Sequence, residues 1–343
     1  MNNNTVISLD LAKSVIQIAK VSKHGEILFN TAQSPDKVRQ IIANTKPCIV
    51  AMEGCGSALY WARFAEQCGH EARIMSPRLV KPFIKGQKND ANDALGIAVA
   101  AIQPSMTFAP VKSLEQHTIQ SINTSRRFLD KSLTALSNHI RALAYEFGVT
   151  TPKGKKALRT RVAELLAPES ELLTTPLKQL LHTAWEQYQQ TESALKTVTR
   201  QLEQFTQPIE ACERLQELEG VGPKAASLLY AVIGNGNAFP NGRAASVYAG
   251  VTPRQHSSGG KTVLLGITKH GDCSLRATLY QGALSVISAL KSVPKTVKQR
   301  WLIDLVNRVG VKRACIALVN KTIRTAWAML KHDTHYQPCY LNL

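Results

Sequence analysis

The chain opens on a short apolar run, Thr5-Val6-Ile7-Ser8-Leu9, that ends on a carboxylate, Asp10. β-Branched and aliphatic residues over this length predict a buried strand. A second run, Cys48-Ile49-Val50-Ala51-Met52, ends the same way on Glu53 and is followed by Gly54 and Gly56. Between them, residues 15–21 and 26–31 read as two further strands separated by His24-Gly25, and residues 35–44 as a helix. Residues 57–68 read as a second helix and 71–75 as a short strand, after which Lys88-Asn89-Asp90-Ala91-Asn92-Asp93-Ala94 begins another helical run.

Beyond Pro104 and Pro110 the period becomes that of long polar helices. Leu129, Leu133, Leu136, Ile140, Leu143 and Phe147 step alternately by four and three; so do Leu177, Leu181, Ala184, Tyr188, Thr191, Leu195, Val198, Leu202 and Phe205. These are heptad seams. Residues 152–161 between them are basic and turn-rich, so the helices are expected to double back as an antiparallel coiled-coil hairpin with a positive tip. Such a hairpin either packs only on itself or serves as an arm for dimerisation or for reaching along nucleic acid.

Strand order and acids together suggest a chemistry. Three antiparallel strands followed by alternating helices and strands is the order of an RNase H-like (RuvC-like) α/β domain with a mixed sheet. Two buried strands that deliver carboxylates to their ends concentrate negative charge, which is costly unless a cation is held there. Asp90 and Asp93 stand three apart, on one face of a helix. The inferred set is Asp10, Glu53, Asp90 and Asp93, whose oxygens suit Mg²⁺, with Mn²⁺ as a substitute. Taken singly, each also looks like a surface acid, and Asp90 like a helix N-cap. In the RNase H order such acids gather at the carboxyl edge of the sheet around two metal ions.

A third, mainly helical region begins near residue 207. Gly220-x-Gly222-x-x-Ala225 has the outline of a dinucleotide fingerprint, but no strand precedes it. A helix, a Gly-Val-Gly turn and a helix from Pro223 read instead as a helix-hairpin-helix-like element, whose glycines admit a phosphate to backbone N–H groups. An ordinary turn between helices is the alternative. Next comes Thr252-Pro253-Arg254-Gln255-His256-Ser257-Ser258-Gly259-Gly260-Lys261, a serine pair framed by cations and released into Gly-Gly. It offers hydroxyls beside phosphate-binding groups, although a flexible surface turn has the same composition. It is not a Walker loop, because Gln255 stands where the first glycine belongs. Nor do His256 and Ser257 make a triad, since sequence neighbours diverge and no orienting acid is at hand. Lys269, His270 and Arg276 continue the positive lining. The expected domains are 1–110, 111–206 and 207–343.

Composition narrows the partner. With 42 Lys and Arg against 24 Asp and Glu, the 343 residues carry a formal charge of +18, and the pI is about 9.7. A polyanion is the first expectation and a membrane surface the weaker one. No run approaches the roughly 18 apolar residues of a membrane span, and Met1-Asn2-Asn3-Asn4 lacks the regions of a signal peptide. An intracellular, cytoplasmic protein is expected. Seven scattered cysteines without a CxxC pair argue against a disulfide framework and a zinc site, and point to reduced, mostly buried thiols.

The pattern as a whole resembles the DEDD insertion-sequence transposases and Piv-type DNA invertases, the bridge-RNA-guided recombinases, over nearly the full length. Carrying the resemblance are Asp10, Glu53, the Asp90/Asp93 motif, Leu218-Glu219-Gly220-Val221-Gly222-Pro223, the Ser257-Ser258-Gly259-Gly260 block and Gly266-Ile267-Thr268-Lys269-His270-Gly271-Asp272. It implies Mg²⁺-dependent recombination of double-stranded donor and target DNA, a noncoding guide RNA that pairs with both, a homo-oligomer (dimer or tetramer), and a serine that becomes joined to DNA. By that match the nucleophile is Ser258, directly before Gly259, rather than Ser257. Phosphate contacts are expected from Gly220, Gly222, Lys224, Arg254, Lys261, Lys269 and Arg276. A serine hydroxyl needs a base or a metal to activate it, and the acids lie roughly 165 residues earlier, so a composite site is expected. Two rivals use fewer of these features: a RuvC-type junction-resolving endonuclease with metal-bound water, and a non-catalytic nucleic-acid scaffold.

Overall fold

The computed structural model describes residues 5–290 and 293–341; the opening Met1-Asn2-Asn3-Asn4 lies outside them. Two compact units follow one another along the chain, Met1–Leu114 and Glu115–Leu343.

In the first unit, β1 (Val6–Asp10), β2 (Ile16–Val21) and β3 (Ile27–Gln33) form an antiparallel meander. After α1 (Pro35–Ala43), β4 (Ile49–Glu53) returns parallel to β1. Helix α2 (Ala58–Gln67) leads to β5 (Glu71–Met75), parallel to β4. Then come α3 (Pro77–Val80), α4 (Asp90–Ala101) and β6 (Phe108–Ala109), which pairs antiparallel to β5. The sheet order is β3-β2-β1-β4-β5-β6, the mixed α/β arrangement expected of an RNase H-like domain. The two-residue β6 is too short to have left a periodic signal.

Side-chain alternation divides β1 and β4 between two cores. Ile7, Leu9, Val50 and Met52 pack beside Val38, Ile42, Trp61 and Ala62 of α1 and α2. Val6, Ile49 and Ala51 pack against Ile97, Ala98 and Ala101 of α4 on the other face. A fully buried aliphatic side chain contributes about 1.5–3 kcal/mol. A slip of one residue in either strand would exchange the two sets. The register that carries Asp10 and Glu53 is therefore strongly held, and parity aims both acids toward α4. The segment leading into α4 is held against the helix at backbone distance: a Cβ on Gly96 would stand 2.6 Å from Ile84 Cγ1 and 3.1 Å from its Cα.

The second unit opens with α5 (Leu114–Tyr145), α6 (Lys155–Leu166) and α7 (Thr175–Thr206). Leu133 and Ile140 of α5 share a core with Leu177, Leu181, Ala184 and Tyr188 of α7. Arg126 Nε donates to Thr199 Oγ1 at 3.1 Å, and Ile119 packs near Leu202, so the two long helices run antiparallel. Two expectations are corrected here. The stretch 152–161 is not simply a turn: from Lys155 it is helix, and Leu158, Val162 and Leu165 fill the end of the hairpin core. Phe147 falls beyond the end of α5 and is exposed.

Helices α8 (Glu210–Leu215), α9 (Pro223–Ile233), α10 (Gly242–Tyr248), α11 (Cys273–Ser288), α12 (Val297–Val309) and α13 (Val311–His332) surround a separate core that includes Leu229, Leu275, Leu318 and Ile323. Between α10 and α11 stands a two-stranded ribbon, β7 (Pro253–Ser258) and β8 (Lys261–Ile267). The cysteines depart from expectation. Cys48, Cys212 and Cys315 are buried and Cys68 is half-buried, but Cys55, Cys273 and Cys339 are exposed, in a glycine-rich loop, at a helix start and in the tail. Among the described residues no helix is long and apolar enough to cross a membrane.

Candidate active site

Asp10 is the last residue of β1 and Glu53 the last of β4, and each follows four buried residues. The parallel register that pairs Leu9 with Met52 brings the two acids to neighbouring strand ends. Asp90 and Asp93 arrive from the first turn of α4. Asn89, not Asp90, caps this helix: its side chain accepts from the Asn92 amide at 2.8 Å, which leaves the Asp90 carboxylate free of the capping role. Acids in a first turn are also favoured by the helix dipole.

One carboxylate oxygen from each of Asp10, Asp90 and Asp93 lies within 4.8 Å of the others. Burial, and then the charges of Asp90 and Asp93, push the Asp10 carboxyl above its usual range. Burial, then Asp10 and Asp93, do the same to Glu53. All four acids of the inferred set therefore meet at one sheet edge, with Glu53 just outside the tightest group. Hard oxygen donors crowded in this way suit a divalent cation of the Mg²⁺ or Mn²⁺ type.

Sequence reasoning missed the residues that orient this helix start. Gln17 stands opposite Asp10 in the β1–β2 ladder, and its amide donates to Asn30 Oδ1 at 2.7 Å. The Asn30 amide in turn donates to the carbonyl of Ala91, between the two acids, at 2.9 Å. Both side chains share the α4 face by strand parity. Only the register could have revealed this, because neither residue is unusual by itself.

The serine block lies in the second unit. Gly259 and Gly260 both have positive φ, +56° and +76°, the requirement of a two-residue type I′ hairpin turn. The block is therefore the tip of a ribbon and not a linker. Ser258 pairs with Lys261 across the tip and Ser257 with Thr262. Ser257 Oγ accepts from the Gln255 amide at 2.9 Å. Arg254 also lies on β7, and Lys269 follows β8 with φ +58°. At the ribbon's base, a Cβ on Gly250 would stand 1.8 Å from the His270 carbonyl, and one on Gly271 2.0 Å from that of Tyr248. Arg276 Nη1 donates to the carbonyls of Ala249 at 3.0 Å and His270 at 2.6 Å, so this cation ties down the base.

Gly220 and Gly222 form the turn between α8 and α9. Gly220 has φ +78°, and its Cβ would stand 2.7 Å from the Gly282 carbonyl, so the turn rests directly on the backbone of α11. Gly222 is the N-cap of α9. Lys224 follows in the first turn; burial and then Arg126 pull its ammonium pKa down, Arg127 adds to this, and Asp130 opposes it.

Residues 212–299 match the Transposase IS116/IS110/IS902 family, and residues 7–147 match the DEDD transposase family of IS110 type. The chain is 38% identical over 338 residues to a probable family 20 transposase of Pseudomonas aeruginosa, covering 98% of this chain and 99% of that protein. It is 36% identical to the transposase for insertion sequence element IS1111A of Coxiella burnetii, covering 98% and 92%. With the transposase for insertion sequence element IS1328 of Yersinia enterocolitica the identity is 33%, covering 97% and 99%. The junction-resolving reading is not favoured by these relationships. A carboxylate-edged mixed sheet joined to a helical segment, both matched along their length, makes the chain a member of the IS110-type DEDD transposase family, enzymes that cleave and rejoin DNA.

Proposed function

We propose that the chain is the transposase of an insertion sequence acting on double-stranded DNA, with Asp10, Glu53, Asp90 and Asp93 holding Mg²⁺ (Mn²⁺ substituting) and Ser258 as nucleophile. The observation that carries this reading is the convergence of three carboxylates within 4.8 Å of one another at the start of α4. Charge crowded on the ends of buried strands opposes folding, and a bound cation offsets it. Divalent ions held by Asp10, Glu53, Asp90 and Asp93 would supply positive charge for phosphoryl transfer and would make ionisation of a hydroxyl easier.

The chain's own groups do the rest. The capped helix start and the Gln17–Asn30–Ala91 relay hold the acids in place. Ser258 gives up its hydroxyl proton to solvent water as its oxygen attacks phosphorus. The phosphorus–oxygen bond to one deoxyribose breaks, and the departing oxygen takes up a proton, leaving a serine phosphodiester. Attack on that ester by a deoxyribose hydroxyl of the joining strand rejoins the DNA and frees the serine. Ser258 suits this role better than Ser257, whose hydroxyl is engaged by Gln255; no hydrogen bond engages the Ser258 hydroxyl among the described residues. A two-stranded ribbon also has the cross-section of a major-groove element. Gly220, Gly222, Lys224, Arg254, Lys261 and Lys269 are assigned to phosphates, and Arg276 to the support of the ribbon that presents them.

From the family likeness we extend the reading to a noncoding guide RNA that pairs with donor and target. The same likeness extends it to assembly as a dimer or tetramer through the 111–206 arm, with 207–343 as the transposase domain. In the deciding experiment, cleavage of DNA bearing an element end is stopped with denaturant. A covalent protein–DNA adduct at residue 258 is expected. Ser258→Ala eliminates it, Ser257→Ala retains it, and Asp10→Asn eliminates it while DNA binding survives. Cleavage without any adduct would return the enzyme to the metal-and-water nucleases.

A further inference from the structure

We propose that the cleft between α10 and α13 is a binding site for the sugar–phosphate backbone of a nucleic acid, separate from the acid cluster and from the serine ribbon. It is an open cleft of about 620 Å³ lined by Arg243 of α10 and by Lys321, Arg324, Thr325 and Trp327 of α13. The geometry follows from one glycine. A Cβ on Gly242 would stand 3.0 Å from the Arg324 carbonyl oxygen and 3.1 Å from its Cα, so α10 crosses α13 at backbone contact. That crossing sets Arg243 beside cations more than seventy residues further along the chain.

Charge and aromatic character both point to phosphodiesters. The 22 residues of α13 include Lys312, Arg313, Lys321, Arg324 and Lys331 and no Asp or Glu. Among the described residues, none of Arg243, Lys321 and Arg324 is ion-paired, whereas elsewhere in this unit Arg214 meets Glu210 and Asp333, and Lys298 meets Glu219 at 3.0 Å. A solvated helix face seldom draws three unpaired cations from two helices into one concavity, since their mutual repulsion is relieved only by salt or by an anion. The one aromatic wall of the cleft is fixed in place. Trp327 Nε1 donates to the carbonyls of Gly236 and Phe239 at 3.1 and 3.2 Å, and Lys321 Nζ lies 5.1 Å over the Trp301 ring. Cations beside an anchored indole are the composition of a groove that tracks a phosphate backbone and stacks an occasional base. Lys321, Arg324 and Trp327 lie beyond residue 299, outside both segments matched to the family.

The proposal rests on the reading of the chain as a transposase, and its test is built to fail separately. Full-length Ser258→Ala protein is the host, so that strand cleavage plays no part in the readout. Arg243→Gln, Lys321→Gln and Arg324→Gln are combined in it, and a Lys312→Gln/Arg313→Gln pair on the same helix, outside the cleft, is the control. Binding to a 30-base-pair DNA duplex and to a structured RNA of similar size is followed by fluorescence anisotropy between 50 and 200 mM salt. With about 0.9 counterion released per phosphate contact, the triple variant should flatten the plot of log affinity against log salt by about 2–3 on one of the two nucleic acids. The control should lose no more than its share of general charge attraction. Which nucleic acid responds identifies the occupant as DNA or RNA. Equal slopes for triple variant and host on both, or a control that falls as far as the triple variant, would overturn the site. A missing serine adduct would leave these slopes untouched and would overturn only the catalytic reading.

Discussion

Removing one catalytic charge should make the metal-free protein more stable. In Asp10→Asn the amide keeps the size of the side chain and removes its repulsion with Asp90 and Asp93, whose oxygens lie within 4.8 Å. At that distance a pair of unit charges repels by about 0.9 kcal/mol in bulk water and about 3.5 kcal/mol at an effective dielectric of 20. Asp90 is exposed and Asp10 only half-buried, so screening holds each pair near the lower figure. A gain of about 1–2 kcal/mol follows. In a domain of roughly a hundred residues this raises Tm by about 5–10 °C. The assay is calorimetry in chelator, repeated in excess Mg²⁺. An ion at a hundredfold its Kd stabilises the wild type by about 2.7 kcal/mol, and the variant, short of one ligand, should gain less, so the order of stabilities reverses. The pH dependence has a definite sign. Burial and neighbouring acids raise Asp10 in the folded state, so its contribution is favourable in acid and lost as pH rises through the raised value. The advantage of the variant should therefore shrink toward acid pH. A variant less stable than wild type in chelator, or an equal response of both proteins to Mg²⁺, would refute the crowding of charge at this edge.

Three further outcomes are expected. Asn30→Leu removes the donor to the Ala91 carbonyl and should weaken Mn²⁺ binding about 10–100-fold, with only about 1 kcal/mol lost from stability; unchanged titration calorimetry would reduce Asn30 to packing. Gly250→Ala sets a Cβ 1.8 Å from the His270 carbonyl at φ +71°. It should cost about 3 kcal/mol or more and speed amide exchange in β7 and β8, and a wild-type melt with slow exchange would contradict the crowded base. The Glu217 carboxylate accepts from His335 and from the Tyr336 amide, and these bonds lower its pKa. A lowered folded value means that tail docking is fully held above the ordinary carboxylate range and lost as pH falls through the lowered one. NMR of the Tyr336 amide should follow that loss, and the shift should vanish in Glu217→Gln.

How much of this was legible in the sequence depended on what each residue buries. Asp10 and Glu53 could be read because Val6 to Leu9 and Ile49 to Met52 are buried on both faces, which leaves an acid at the end of each run without a packing reason to be there. The heptad seams could be read for the same reason, since Leu133, Ile140, Leu181 and Tyr188 meet in one core. Gln17 and Asn30 could not, because their role exists only once the β1–β2 and β2–β3 registers are set. Helix α6 was hidden by its four cations, which outweigh Leu158, Val162 and Leu165 in any short window. Arg276 had the composition of a phosphate ligand, yet its guanidinium is used on two carbonyls of its own unit. The ribbon is the most instructive case. Gly259-Gly260 was a sufficient turn signal, but β7 and β8 bury nothing, and Val263, Leu264 and Leu265 are exposed at 48, 62 and 46%. An isolated two-stranded ribbon is marginal in water, so this one is held by its base and completed by whatever it docks against. The same holds for Arg243, Lys321 and Arg324, unpaired among the described residues in their cleft. Helix α6, Gln17 and Asn30 are completed within this chain, whereas the ribbon leaves its apolar side chains exposed and the α10–α13 cleft leaves its cations without acids, which is why these two are the surfaces where nucleic acid should leave its footprint.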